Sequence, residues 1–354
     1  MDRATVEIYE RRAEEWAEKR SPVYRERAVQ LAGRCLPGYP VADLGCGPGH
    51  YLADLAGAGP VVAVDAAAGM LALARPSGAW VVQADIESLP FRDRSLGGVW
   101  ASNSYLHVPR PQLPLALARL HWAMAVGAPL TISGISGEGE GELPKDDFPG
   151  RFFALWSAEE LVALLTGAGF EVEGTEIEGE RVWAHARRAR TLPDTVGAGM
   201  RVLVCGLNPS VVAADAGFGF AGPSNRFWKA AVTAGLVTHP RDPLACLVHD
   251  RVGMTDMVKR ATPNAAVLRP EEYRAGAERV RRLVEWLRPG LVLFVGLAGW
   301  RAAVDGKAVA GLQAQPFAGA RAYVMPSTSG LNAHSRPADL AAHMADALTA
   351  VPPA

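Results

Sequence analysis

The sequence predicts an α/β protein built of two doubly wound α/β/α domains. Two separate series of apolar, β-prone runs alternate with helix-like stretches, the spacing of mostly parallel sheets covered on both faces. Between them lies a basic segment with Pro and Gly, RRARTLPDTVGAGM (187–200), which has the composition of a linker. The 354 residues are too many for one ordinary domain of ~100–200 residues and suit two, and 49% are apolar, enough for two cores. The boundaries that follow are a first domain over 1–188, a linker over 189–197 and a second domain over 198–354.

Residues 4–34, rich in Ala, Glu and Arg, read as helix. VADLG (41–45) opens the first series as a strand, followed by a Gly-rich turn and a helix over 49–57. The strand VVAVD (61–65), a helix over 69–75, the strand WVVQAD (80–85) and the strand GVWASN (98–103) come next. Further elements are expected at 112–125, 128–135, 157–167 and 170–177. SGEGEGELPKDD (136–147) has no periodicity and reads as an exposed loop or lid. The second series starts at RVLVCGL (201–207), with helices expected over 226–235, 271–287, 297–304 and 337–349 and strands over 291–296 and 320–326.

Composition excludes several classes. Cys35, Cys46, Cys205 and Cys246 are scattered, with no CxxC and no His at metal-ligand spacing, so no metal or disulfide framework is expected and a reducing cytoplasm fits. No apolar run approaches the ~20 residues of a membrane span. The opening MDRATVEIYERRAEEW is charged rather than signal-like, so the expectation is a cytoplasmic protein without a membrane partner. Charge is uneven: 17 Lys and Arg against 11 Asp and Glu over 198–354, but 19 against 26 over 1–197. That split fits a polyanion partner for the second half, and it equally fits two domains with unrelated surfaces.

DLGCGPG (43–49) stands between a strand and a helix, where glycines allow a tight turn and close approach to a ligand. Asp65 ends the next strand, placed to accept from two ribose hydroxyls. Asp85 ends the third, with Ile86 placed against an adenine ring. In order and spacing these positions, with FRDRSLGGVWASNSYLHV (91–108), resemble the class I S-adenosylmethionine-dependent methyltransferases over about residues 5–185. The resemblance implies a Rossmann-like methyltransferase domain that binds S-adenosyl-L-methionine through Asp43, Gly45, Gly47, Gly49, Asp65, Asp85 and Ile86. YERRAEEWAEKR (9–20) looks like that family's lid helix, with Tyr9 and Trp16 toward the cofactor. SNSYLH (102–107) lacks the (N/D)PP(Y/F) motif of amino-methylating nucleic-acid enzymes, and Cys46 lies inside the cofactor loop rather than in a Pro-Cys nucleophile. His107 is either a general base or a structural histidine, and the methyl acceptor is left open.

In the second half an apolar strand delivers a polar tip, GLNPS (206–210). GFGFAGPSNRFWKAAVTAGL (217–236), GMTDMVKRAT (253–262) and VMPSTSGLNAHSR (324–336) follow. These four blocks resemble the mismatch-specific uracil-DNA glycosylases and related thymine-DNA glycosylases, over about residues 192–350. The resemblance implies a uracil-DNA-glycosylase-like domain that needs no cofactor, takes duplex DNA holding mismatched uracil or thymine, flips the base and hydrolyses its N-glycosidic bond. It makes Asn208 the catalytic residue, holding water through an uncharged amide that is cheaper to bury than a carboxylate. Backbone N–H groups would stabilise the departing base. Leu207, Phe220, Asn225, Ser327, Gly330, Leu331 and Asn332 fall at the substrate, with Phe220 stacked on the pyrimidine and Leu331 as a wedge in the duplex. Gly330 and Asn332 would meet the partner strand; Ser327, His334 and Arg336 would contact phosphate or backbone, and Asn225 with Arg226 would brace the pocket. Two departures stand out. The family's GINPG ends here in Ser210, and Asp256 occupies a position where some relatives carry a basic residue, which leaves thymine tolerance open. The alternative is a methyltransferase targeted to nucleic acid by a catalytically silent glycosylase fold.

Overall fold

The computed structural model describes residues 1–352 and divides into two compact units, Met1–Ala189 and Arg190–Ala354. Both are mixed α/β with a largely parallel sheet, as the alternating pattern requires.

In the first unit the strands are β1 (Val41–Leu44), β2 (Val61–Asp65), β3 (Trp80–Gln83), β4 (Gly98–Ser102), β5 (Pro129–Ile135), β6 (Glu140–Glu142), β7 (Phe152–Ala154), β8 (Phe170–Glu178) and β9 (Arg181–Arg188). Seven form one sheet in the order β3-β2-β1-β4-β5-β9-β8, with β1 to β5 parallel and β8 and β9 antiparallel. Every residue of β1 is buried, as expected of a central strand covered on both faces. The chain winds outward from β1 in one direction and then from β4 in the other, so a crevice opens at the carboxyl ends of β1 and β4.

Three expectations need correction here. The long helix over 4–34 is three helices, Arg3–Arg11, Ala13–Lys19 and Arg25–Ala32. Pro22 disfavours helical geometry at Ser21 and helps end the second of them. The helix over 49–57 is reduced to Leu52–Leu55 and a 3₁₀ turn, and Gly49, with φ at +90°, lies outside helical geometry. The segment 136–147 is not all loop: its Glu140–Glu142 pairs antiparallel with Phe152–Ala154.

In the second unit β10 (Val202–Gly206), β11 (Val252–Asp256), β12 (Leu291–Val295), β13 (Gly311–Leu312) and β14 (Arg321–Met325) lie in the order β11-β10-β12-β14-β13, parallel except for β13. β10 and β12 are wholly buried. The helix Pro270–Leu287 opens on Pro with Glu271 and Glu272 in its first turn, and buries Tyr273, Gly276, Ala277, Val280, Val284 and Leu287 at three- and four-residue spacing. Gly276 is needed at the contact: a Cβ there would lie 2.0 Å from the Met257 carbonyl oxygen. Because β10 has β11 on one side and β12 on the other, its C-terminal tip stands where the winding reverses.

Within the segment read as a linker, Thr191–Val196 is buried in the second unit, and Thr195 pairs with Met254 through two backbone hydrogen bonds of 2.9 Å. The buried Asp194 carboxylate meets Lys259 at 2.9 Å and Arg279 at 2.5 Å, and accepts from Thr255 Oγ1 at 2.6 Å. Pro and Gly in this segment gave the composition of a tether, but the charge pairing fastens it. Asp194→Ala leaves two largely buried cations without their shared carboxylate and is expected to cost about 3–5 kcal/mol of unfolding free energy in urea titration.

Candidate functional sites

At the crevice of the first unit a cavity of ≈ 320 Å³ is lined by Tyr9, Trp16, Asp43, Gly45, Gly47, Asp65 and Ile86. Gly49 and Asp85 do not line it. Gly45, Gly47 and Gly49 all hold positive φ, of +72°, +54° and +90°. The space around them differs. A Cβ on Gly45 would lie 2.4 Å from Ser104 Cβ and one on Gly49 2.7 Å from Leu52, whereas one on Gly47 meets only Trp16 at 3.6 Å. Gly45, which also lines the cavity, and Gly49 leave no room for a side chain, whereas at Gly47 a Cβ would enter open space beside Trp16.

Asp65 caps the loop. Its Oδ2 accepts from Gly47 N and its Oδ1 from Ala67 N, both at 2.9 Å, leaving lone pairs on each oxygen. Burial pushes its carboxyl up to about 6 against the pull of these amides. Asp43 is 2% exposed with no hydrogen bond to Oδ2; burial, then the Asp65 charge, push it up to about 8. Asp85, two residues past β3, accepts from Glu87 N at 2.9 Å and meets the Met1 amine at 2.8 Å, while Ile86 is buried against the cavity.

The N-terminal helices roof this cavity. Tyr9 Oη and His107 Nε2 are 2.9 Å apart, and His107 Nδ1 lies 2.7 Å from the Phe152 carbonyl. That carbonyl can only accept, so Nδ1 carries the proton and Nε2 accepts from Tyr9. Arg151 donates to Tyr9 Oη at 2.6 Å and to Asp146 at 2.8 Å. Burial pushes His107 down to about 4, so it is neutral and both nitrogens are engaged. Of the two roles open to His107, this geometry favours the structural one. Trp16 stacks on His50, 5.8 Å between centroids. Sequence reasoning missed His50, Ser104 and Arg181 as cavity-lining residues; Arg181 begins β9, a strand in which basic residues interrupt the apolar ones.

In the second unit Asn208 follows the tip of β10. Its Nδ2 lies 2.8 Å from Thr262 Oγ1, 3.0 Å from the Arg260 carbonyl and 3.1 Å from the Pro209 carbonyl. No protein donor reaches Oδ1 among the described residues, so the amide nitrogen is anchored and the oxygen is free to accept. Phe220 holds a left-handed backbone, φ +58°, and stacks on Phe227 at 3.9 Å and 14°, which leaves one ring face. Asp256 ends β11 with its Oδ1 2.4 Å from where a Gly206 Cβ would stand, so only glycine allows carboxylate, strand tip and Phe220 to meet. Leu207 packs against Gly296 and Gly299 beneath the tip.

Burial pushes Asp256 up to about 6, with Lys259 and Arg279 pulling it down and Asp194 raising it. A raised carboxyl is penalised once it ionises, so the cost grows above the unfolded value of 3.8 and is complete above about 6. Asp256→Asn is therefore expected to raise the melting temperature at pH 8, by on the order of 2–3 kcal/mol in stability, with the gain vanishing toward pH 4.

Leu331 is 84% exposed on the loop 327–335. Arg226 organises that loop, donating to the carbonyls of Ser329 (2.7 Å), Asn332 (2.8 Å) and Ser335. Asn332 is spent inside it: Nδ2 donates to the Ser327 carbonyl and Ser335 Oγ, and Oδ1 accepts from His334 N. Ser327 Oγ accepts from Ser329 N, and Gly330 is exposed where a Cβ would lie 2.4 Å from Ser224 Oγ. Asn225 accepts from Phe227 N at 3.0 Å, Arg336 pairs with Asp339 at 3.1 Å, and Ser210 caps the helix Val211–Ala216. The serine that departs from GINPG thus has a local structural use.

Comparisons with known proteins agree with this division. Residues 41–127 match the family model described as a methyltransferase domain, and residues 193–349 match that of the uracil DNA glycosylase superfamily. Among solved structures similar to the chain, a SAM-dependent methyltransferase from Methanosarcina mazei is 18% identical, covering 45% of this chain and 97% of that one at TM-score 0.41. A possible histamine N-methyltransferase from Thermotoga maritima is 19% identical, covering 52% and 99% at TM-score 0.41. The 1,6-didemethyltoxoflavin-N1-methyltransferase of Burkholderia thailandensis is 22% identical, covering 52% and 85% at TM-score 0.41. No helix among the described residues is long and apolar enough to cross a membrane. The chain joins a methyltransferase domain to a domain of the uracil DNA glycosylase superfamily.

Proposed function

We propose that the second unit excises uracil from G·U mismatches in duplex DNA and that the first transfers a methyl group from S-adenosylmethionine. The observation that carries the first reading is Asn208, whose amide nitrogen is tied to Thr262, Arg260 and Pro209 while Oδ1 stays free. So held, Oδ1 accepts from a water and orients that water's lone pair toward the anomeric carbon without taking a proton from it. The bond to the base breaks with its electron pair leaving on the base, and the water adds to the sugar, losing a proton to solvent. Phe220 offers its free ring face to the flipped pyrimidine, and Leu331 fills the gap in the stack. Incubating the full-length protein with a G·U oligonucleotide and looking for alkali-labile abasic sites tests this; no cleavage would leave a binding module.

The wedge has its own test. Leu331→Ala is expected to weaken the flipped complex by on the order of a few kcal/mol, the cost of unstacking a base. Uracil placed in a bulge should restore part of that loss, as measured by single-turnover excision. An equal defect on both substrates would place Leu331 outside the flipping step.

For the methyltransferase, the residues present fit the cofactor. Asp43 Oδ2 and Ser104 Oγ are buried without partners, Gly47 leaves open space, and Asp65 keeps lone pairs for two ribose hydroxyls. Tyr9 and Trp16 would close over it and Ile86 would flank the adenine. The cofactor supplies an electrophilic methyl group on a sulfonium; the chain supplies the cradle and a roof that excludes water.

A further inference from the structure

The cavity of the first unit is divided across its sheet. Gly45, Gly47, Asp65 and Ile86 come from the ends of β1, β2 and β3, whereas Ser102 and Asn103 end β4 and Arg181 starts β9. β9 stands three strands from β1, about 14 Å at the usual ~4.8 Å spacing. The cradle for the cofactor occupies the first part, and the second is left for whatever receives the methyl group.

Three guanidinium groups line the cavity. Arg151 is neutralised by Asp146, and Arg20 meets Asp147 at 2.8 Å. Arg181 differs. It donates to Asn103 Oδ1 at 2.5 Å, and no carboxylate lies within ion-pair distance among the described residues. Asn103 is itself held in place: its φ is +56°, its N donates to Ser133 Oγ at 3.0 Å and its Nδ2 to Ser102 Oγ at 3.3 Å. A left-handed asparagine locked by two serines fixes one edge of the guanidinium and leaves its other donors free. A partly buried cation without a counter-charge is costly, and a ligand anion would remove that cost.

We propose that the methyl acceptor is a small molecule bearing a carboxylate or a phosphate, held by Arg181 at the β4–β9 end with its reacting atom toward the β1–β3 end. This rests on the methyltransferase reading. The acceptor is small because the roof is fastened across the cavity: Phe152 N donates to Thr5 Oγ1 at 2.8 Å, Arg151 to Tyr9, and Arg20 to Asp147.

The test uses the full-length protein saturated with S-adenosylhomocysteine and three probes, benzoate, phenyl phosphate and benzamide, followed by calorimetry. One of the two anions should bind at least about tenfold more tightly than neutral benzamide, and which one tells carboxylate from phosphate. Arg181→Gln should erase that preference, Arg181→Lys should keep part of it, and both should bind S-adenosylhomocysteine as the wild type does, which also reports their folding. Equal affinity for all three probes, or no binding of either anion, overturns the proposal. So does a loss of S-adenosylhomocysteine affinity in the folded Arg181→Lys variant, which would assign the guanidinium to the cofactor's own carboxylate. A wild type that fails to bind S-adenosylhomocysteine removes the methyltransferase reading itself and this proposal with it, a different signature from lost anion preference.

Discussion

Asn208→Ala is expected to lower single-turnover excision of uracil by roughly 10²–10³-fold, the loss typical of removing one preorganised polar group from a site. Binding to a G·U duplex should persist, since Asn208 meets a water rather than the DNA backbone. The structure adds a sharper contrast. In Asn208→Asp a carboxylate oxygen would replace Nδ2 and face the carbonyls of Pro209 and Arg260, which can only accept. Aspartate is the stronger base, yet here it should lower both activity and melting temperature, because two of the three groups that now hold the amide are carbonyls that repel its second oxygen. Asn208→Ala with full excision, or Asn208→Asp faster and as stable as wild type, would show that the tip of β10 does not position the nucleophile.

The second large effect is expected at Asp65. Asp65→Ala should weaken binding of S-adenosylhomocysteine by at least about 10²-fold, the loss of two hydrogen bonds to a charged acceptor at ~1.5–3 kcal/mol each. The same substitution frees Gly47 N and Ala67 N, so the loop loses its cap as well as its ligand contact. Gly47→Val should have a comparable effect by another route, since a branched side chain is strained at φ +54° and would enter the cavity beside Trp16. Uracil excision by both variants should stay at the wild-type rate. Wild-type affinity in Asp65→Ala, measured calorimetrically, would remove the ribose assignment.

Much of the sheet was readable because it is buried. VADL, VVAVD, VLVCG and LVLFV are short, mostly apolar runs, and each became a central strand within a residue of its expected ends. β9 was not readable. HARRAR looks like a solvated charge run, yet alternate residues Val182, Ala184 and Ala186 face inward while His185 and Arg187 lie outward, and Trp183 fills space near Trp100. The site showed the same asymmetry. Glycines and a strand-end carboxylate announce themselves through local geometry, so DLGCGPG and Asp65 could be placed from sequence. Arg181 and Asn103 meet across 78 residues, and nothing in either neighbourhood signals the other. Asn332 and Arg226 show a further limit. Their types suit contact with DNA, but the structure spends the Asn332 side chain and much of the Arg226 guanidinium inside the loop that presents Leu331.

The pairing of Asp194 with Lys259 and Arg279 has a consequence for anyone who cuts this gene in two. Composition invites a cut just before Ala198, inside the stretch that carries Pro and Gly. A fragment begun there would be translated without the carboxylate that ion-pairs with both cations, and without Thr195, which pairs with Met254. Such a product should appear in the insoluble fraction and be mistaken for proof that the second half needs the first. A start at or before Arg190 keeps the anchor, and only that shorter first piece and longer second piece can say whether either activity depends on the fusion.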